Sequence, residues 1–317
     1  EIGHGAVIVA TGARESKPTE YLYGQDERVV TQLEFEEKIS EGEDFSGKTV
    51  VMIQCVGSRE EGRPYCSRIC CTDAVKNSIK VKEKYPDAQV FVLYRDMRTY
   101  GFKESFYEEA REKGVIFIRY DTDQKPKVSK GDDGIEVMTK DLILGEDFRI
   151  RADHLVLRAA IVPGEDNEAL AQLLKVPINE DGFFLEAHVK LRPVDFAVEG
   201  VFLAGMAHSP KLISETISQA YAAASRAVSV ISQEEYVTEA TTSLVTDTLC
   251  SGCGLCVEAC PYSAIELTEK GVAEVNTALC KGCGLCNATC RSGAIQQRGF
   301  DDYQLLQMIN ASLNEMF

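Results

Sequence analysis

Twelve cysteines carry most of the chemistry available to this 317-residue chain, and they are clustered. Eight lie between Cys250 and Cys290 and four between Cys55 and Cys71. Cys250, Cys253, Cys256 and Cys260 are followed by Pro261; Cys280, Cys283, Cys286 and Cys290 repeat the spacing with Arg291 in place of the proline. Three thiolates spaced by two residues come from one tight loop. In that loop Gly252 and Gly254, or Gly282 and Gly284, let the backbone close on a compact core and aim amide hydrogens at its sulfurs. The fourth thiolate of each run serves the other core. The spacing predicts two cubane four-iron clusters, one on Cys250, Cys253, Cys256 and Cys290, the other on Cys280, Cys283, Cys286 and Cys260. Zinc would more often pair cysteines, or cysteines with histidines, at longer separation. Two such clusters side by side form a wire for electrons, not a catalyst.

The other four follow Cys-x10-Cys-x3-Cys-Cys over Cys55, Cys66, Cys70 and Cys71. From spacing alone three chemistries stay open: a third cubane, a redox disulfide, and zinc or plain structural thiols. Adjacent ligands at Cys70 and Cys71 require a sharp backbone turn between them. Arg59, Arg63 and Arg68 lie around the cysteines, where they would offset a cluster's negative charge or simply face water. A secreted disulfide scaffold would be short, with cysteines spread over its loops. Here residues 72–249 hold none, so the clustering indicates metal and a reducing cytoplasm.

Apolar residues make up 44% and charged residues 26%, ordinary values for a globular protein. A formal charge of −16 repels nucleic acid and anionic membranes. No apolar run is long enough to span a bilayer. The first residues, Glu1 to Gly5, show neither a basic segment nor an apolar core of a signal peptide. They also lack a starting Met, as in a processed or partial piece.

The body alternates strands and helices. Strands are expected at Ala6–Ala10, Thr49–Ile53, Gln89–Tyr94, Val115–Ile118, His154–Leu157 and Gly200–Gly205, with hairpin strands at Ile135–Met138 and Phe148–Ile150. Helices are expected at Ala74–Tyr85, Lys103–Lys113 and Ile213–Ser232. Such alternation predicts a parallel α/β sheet wound on both faces, whose ligands sit beyond the C-terminal strand ends. A short hairpin around Lys270-Gly271 separates the two C-terminal cysteine runs, each followed by Ala-Ile (Ala264-Ile265 and Ala294-Ile295), which predicts a pseudo-twofold module. The loop after Thr49–Ile53 reads Gln54-Cys55-Val56-Gly57-Ser58-Arg59 and carries one glycine where a nucleotide-binding loop carries three. Aromatic residues from Phe91 to Tyr120 are expected in the core. His4, His154, His188 and His208 show no ligand spacing; only His208, near the Gly205 turn, is of interest.

Cys55-Val56-Gly57-Ser58-Arg59 and Tyr65-Cys66-Ser67-Arg68-Ile69-Cys70-Cys71 resemble the A subunit of heterodisulfide reductase. So do Val7–Gly12, Val30–Phe35, Val201–Gly205 and the tandem cysteine runs with bacterial-ferredoxin spacing. The resemblance covers nearly the whole chain, in order. It implies a thioredoxin-reductase-like fold of doubly wound nucleotide-binding-type domains followed by an α+β two-cluster ferredoxin domain. It implies FAD and a third [4Fe-4S] cluster on Cys55, Cys66, Cys70 and Cys71 near the flavin. Subunits of this kind occur in methanogens, sulfate reducers and related anaerobes. They are thought to bifurcate electron pairs, one electron toward ferredoxin and one toward heterodisulfide or a related acceptor. Implied partners are B and C subunits, ferredoxin, and a hydrogenase or formate dehydrogenase reached through a small iron-sulfur adaptor, in a cytoplasmic hetero-oligomer.

The family's N-terminal Gly-rich strand-turn-helix for FAD is missing from this sequence. By analogy with flavin reductases, Thr11 and Gly12 close a strand against the cofactor, while Gly205, Met206, Lys211 and Ile213 approach the flavin and its ribityl chain. Thioredoxin reductases have an Asp after that glycine, where this chain has Met206. Lys76, one turn beyond the cysteines on a helix, is the candidate catalytic residue, placed to stabilise a reduced flavin or tune a cluster, or else merely solvated. The expected organisation is 1–46 as part of an FAD domain, 47–157 as a degenerate nucleotide-binding-like domain carrying the four cysteines, and 158–232 as the rest of the FAD domain. A linker at 233–247, a two-cluster domain at 248–300 and a C-terminal helix at 301–317 complete it. Two other readings stand beside this one: an NAD(P)H-dependent flavin reductase with a ferredoxin domain, and a non-catalytic wiring module with a vestigial flavin site.

Overall fold

The computed structural model describes residues 3–314 except 132, 235–240 and 278. In chain order the strands and helices are β1 (Val7–Val9), β2 (Ala13–Glu15), β3 (Val29–Thr31), α1 (Gln32–Glu41), β4 (Thr49–Val56), α2 (Cys70–Lys84), β5 (Gln89–Tyr94), α3 (Glu104–Glu112) and β6 (Ile116–Arg119). There follow β7 (Lys127–Lys130), β8 (Ile135–Lys140), β9 (Asp147–Ala152), β10 (His154–Ala159), β11 (Ile161–Pro163), α4 (Asn167–Leu174), β12 (Val201–Leu203) and α5 (Ile213–Ile231). The C-terminal part contains β13 (Ser243–Val245), α6 (Leu255–Ala259), β14 (Ile265–Leu267), β15 (Ala273–Val275), α7 (Leu285–Thr289), β16 (Ile295–Gln297) and α8 (Asp302–Asn314).

A five-stranded parallel sheet, ordered β3-β10-β4-β5-β6, forms the centre. Val50, Val51, Met52 and Ile53 are fully buried in it, because a central parallel strand is covered on both faces. Each such side chain contributes about 1.5–3 kcal/mol. Alternation along β4 sends Val50 and Met52 to the helical side, with Ala74, Val75 and Phe35. Val51 and Ile53 go to the opposite side. That side is covered by the antiparallel sheet β7-β8-β9, whose Ile135, Val137, Ile150 and Ala152 point inward. Helix α1 starts at a capping box in which Thr31 accepts from the Glu34 amide and the Glu34 carboxylate accepts from the Thr31 amide.

A second unit is built from both ends of the α/β body. β1 pairs in parallel with β12, Val9 opposite Leu203, so the expected turns at Gly12 and Gly205 leave the same edge. β2 pairs antiparallel with β11 alongside.

Two expectations change. The aromatic residues between Phe91 and Tyr120 are not uniformly core: Tyr120 is buried and Tyr107 meets Phe117 edge to face, but Phe102 is fully exposed and Tyr100 and Phe106 about half exposed. The segment expected as a linker also contains structure. Residues 235–240 lie outside the described residues, yet β13 pairs with β16, so the last module begins before 248.

Candidate functional site

The four early cysteines meet at the C-terminal end of the central sheet. Cys55 lies near the end of β4 at φ 62, a left-handed conformation uncommon outside glycine. Cys66 is on the following loop and receives the Arg68 amide at 3.3 Å. Cys70 and Cys71 are consecutive residues of the first turn of α2. No sharp turn separates them; helical rotation alone fans them apart, and the left-handed backbone falls at Arg68 (φ 60) instead. Cys55, Cys70 and Cys71 are buried, and all four are close enough that charge on one raises the cost of charge on the others. Burial pushes the Cys70 thiol up to about 12 and the Cys71 thiol to about 11. Thiolates at such a place need a compensating positive core. Of the expected arginines, Arg59 pairs with Asp96 at 2.6 Å and bears on Cys55, and Arg63 donates to the Gly57 carbonyl. Arg68 bonds Tyr100, Glu215 and the Pro210 carbonyl. Arg158, on β10, was not singled out from the sequence; its burial, 4% exposed, gave no pattern to read.

A cavity of about 600 Å³ opens beside these cysteines, within the range of small-molecule sites. Gly12, Gly205, Met206, Lys211 and Ile213 line it together with Ile69, Thr72, Asp73 and Lys76 of the cysteine segment. Thr11 is exposed and is not among the lining residues. Gly205 (φ 73) lets the chain turn, and a Cβ there would already touch Thr216 at 3.4 Å. The Gly205 amide donates to Gln219 Oε1 at 2.9 Å, which also accepts from Lys211 Nζ at 2.9 Å. Lys211 Nζ reaches His208 Nδ1 at 3.1 Å, and His208 Nε2 lies 2.8 Å from Glu186. Burial holds His208 below its usual range; neutral His208 therefore accepts at Nδ1 and donates from Nε2 to Glu186. Burial, with the Arg68 charge next, lowers Lys211 to about 8. Lys76 donates to Glu36 at 2.5 Å and stands 3.9 Å from Asp73.

Two observations bear on whether a cofactor fits here. The Thr72 hydroxyl is buried with no hydrogen-bond partner among the described residues, and Lys76, Lys103 and Lys211 face the cavity against one acid, Asp73. The rest of the lining is mostly apolar, so a flat aromatic ligand that carries negative charge, such as a flavin with its phosphates, suits it.

The C-terminal runs fold as two copies offset by 30 residues. Gly254 caps α6 and Gly284 caps α7, both left-handed. The Ala273 amide donates to Cys250 Sγ at 3.4 Å, and its counterpart, the Ser243 amide, to Cys280 Sγ at 3.4 Å. A Cβ on Gly252 would overlap the Gly271 carbonyl oxygen; one on Gly282 would overlap that of Thr241. Each half thus supports the loop of the other. Cys253 lies near enough to Cys290, and Tyr262 to both Cys283 and Cys260, for their charges to act on one another. All twelve cysteines are free thiols. Among the described residues no group of three Cys, His, Asp or Glu side chains is gathered as for a single metal ion. Glycine cradles and amide-to-sulfur bonds fit a core several atoms wide.

Residues 249–298 match the model of the 4Fe-4S dicluster domain family. Over 99% of its length the chain is 41% identical to the A subunit of the H(2):CoB-CoM heterodisulfide,ferredoxin reductase of Methanothermobacter thermautotrophicus, covering 50% of that protein. The chain belongs to the family of heterodisulfide reductase A subunits. It is also 39% identical, over 84% of its length and 43% of the relative's, to the second iron-sulfur A subunit of the CoB--CoM heterodisulfide reductase of Methanopyrus kandleri. It spans about half the length of these curated relatives. Thioredoxin reductase of T. acidophilum aligns with a TM-score of 0.49 at 16% identity, over 72% of this chain and 66% of that one. Among the described residues no helix is long and apolar enough to cross a membrane.

Proposed function

We propose that the chain is the electron-transfer part of an iron-sulfur flavoprotein subunit of heterodisulfide reductase type, with three [4Fe-4S] clusters and a flavin site. One observation carries this reading: the helix that begins with Cys70 and Cys71 also supplies Thr72, Asp73 and Lys76 to the cavity lined by Gly12 and Gly205. A flavin bound there supplies two-electron chemistry, and the clusters supply one-electron steps. Cys55, Cys66, Cys70 and Cys71 hold the first cluster. Cys250, Cys253, Cys256 and Cys290 hold the second, and Cys280, Cys283, Cys286 and Cys260 the third. Gln219 fixes the Gly205 turn and Lys211, while Arg68 ties the cysteine loop to Glu215 at the start of α5.

Electron splitting, docking to B and C subunits, exchange with ferredoxin, and supply from a hydrogenase or formate dehydrogenase through an adaptor belong to this proposal; the names of the relatives, which print H(2), formate, ferredoxin and CoB-CoM heterodisulfide, support its donor and acceptor classes. Anaerobic reconstitution tests it. Iron at about twelve atoms per chain and a flavin absorption band on adding FAD are expected. About eight iron atoms would remove Cys55 to Cys71 from the cluster ligands, and no flavin band would favour a wiring module. Bleaching of the band by NAD(P)H would restore the pyridine-nucleotide reading.

A further inference from the structure

We propose that Arg158 is the fixed counter-charge of the Cys55, Cys66, Cys70 and Cys71 centre, a positioning residue that makes the centre easier to reduce. This rests on the function proposed for those thiols, in which they hold a cubane. In the parallel ladder Ile53 faces Leu157 and Val56 faces Ala159. Two residues of β4, Gln54 and Cys55, are therefore opposed by the single residue Arg158. Such a bulge re-aims a side chain, and here it coincides with the left-handed backbone of Cys55. Arg158 thus lies on the strand next to Cys55, the one cysteine of the four that a strand carries.

Its head is fixed. Nη2 bonds Asp73 at 2.7 Å and Nη1 bonds Glu15 at 3.1 Å. Asp73 is three residues after Cys70, on the same face of α2. Arg158 Nε is buried with no hydrogen-bond partner among the described residues. Other arginines near the thiols are more open: Arg59 is 20% exposed, Arg68 37% and Arg98 43%, against 4% for Arg158. Water screens the exposed charges, whereas a buried one acts through a weaker dielectric. Each electron entering the centre leaves it one unit more negative with no bond made or broken, so a buried cation favours the reduced form. Glu15 and Asp73 offset part of that field.

The test is a potentiometric titration of the reconstituted full chain under spectroscopic observation, with the two C-terminal clusters as internal references. Arg158→Gln is expected to disfavour reduction of the four-cysteine centre about tenfold, which is about 59 mV for a one-electron couple. Arg158→Lys keeps the charge and is expected to restore most of the shift, which a purely structural role would not do. Glu15→Gln removes part of the offset and is expected to move the centre the opposite way. An Arg158→Gln protein with its cluster loaded and its potential unchanged overturns the proposal. Should Arg158→Gln fail to hold its cluster, Glu15→Gln decides: an upward shift supports the proposal and no shift overturns it. A wild-type chain with only eight iron atoms overturns it too, and the iron count shows that the cluster reading failed first.

Discussion

Single residues in this protein are held in states that water alone would not allow. Cys55 adopts a left-handed backbone at a strand end, and Cys70 is a thiol pushed up to about 12 by burial. Lys211 is the clearest titration case. Burial depresses it to about 8, against an unfolded value near 10.4. Between those values the unfolded chain binds more protons than the folded one, so stability rises with pH across that window. Below about 8 the burial penalty is fully present. Lys211→Met removes this term. The variant is expected to gain stability over wild type at about pH 7.5 and to lose that advantage as the pH rises toward 10. Paired urea unfolding curves check this; an advantage independent of pH would show that Lys211 is not the titrating group.

At the level of elements, the C-terminal module is two short helices and four strands in which each half braces the other. The Gly282 loop backs onto Thr241, just before β13, and the Gly252 loop onto Gly271. Gly282→Ala adds a collision with a backbone carbonyl to left-handed strain and is expected to expel the iron held by that loop. Gly293→Ala, also left-handed but with open space around it, carries the strain alone, about 1–3 kcal/mol, and is expected to keep its clusters at lower stability. Iron content of the two variants, measured after identical reconstitution, separates collision from strain. Equal loss in both would refute the close approach at Thr241.

Across the whole molecule, two kinds of core coexist. The α/β body rests on a large apolar interior around β4, with buried Phe35, Phe45, Val50, Met52 and Val92 on one side alone. The C-terminal module has a small core of Cys256, Ile265, Ala273, Cys286 and Ile295, in which two of the cysteines proposed as cluster ligands occupy core positions. Structural metal is folding energy for such a unit. Chelation of iron is therefore expected to unprotect amides across 243–298 while residues 49–56 and 154–159 keep theirs. Hydrogen exchange before and after chelation reads this directly, and persistent protection in the module would mean that its apolar contacts suffice.

Much of the site was legible in the sequence because it is local. Ferredoxin-type loops write their ligands at fixed spacing with glycines between, and the segments before Gly12 and Gly205 are short apolar runs ending in turn residues. The hairpin at Gly271 and the helix from Ile213 are local in the same way. What the sequence could not show was long-range. The strand at Ser243 was hidden in a polar stretch because it is short and needs Gln297 opposite it. Arg158 looks like any strand residue until β4 and β10 pair with a bulge that leaves it opposite Gln54 and Cys55, its head on Asp73 and Glu15. The cavity, too, exists only once β1 meets β12 and the cysteine helix closes its wall. Residue type and spacing decide which atoms can bind iron; folding distant segments together decides how buried they are, what charge faces them and what cavity opens beside them.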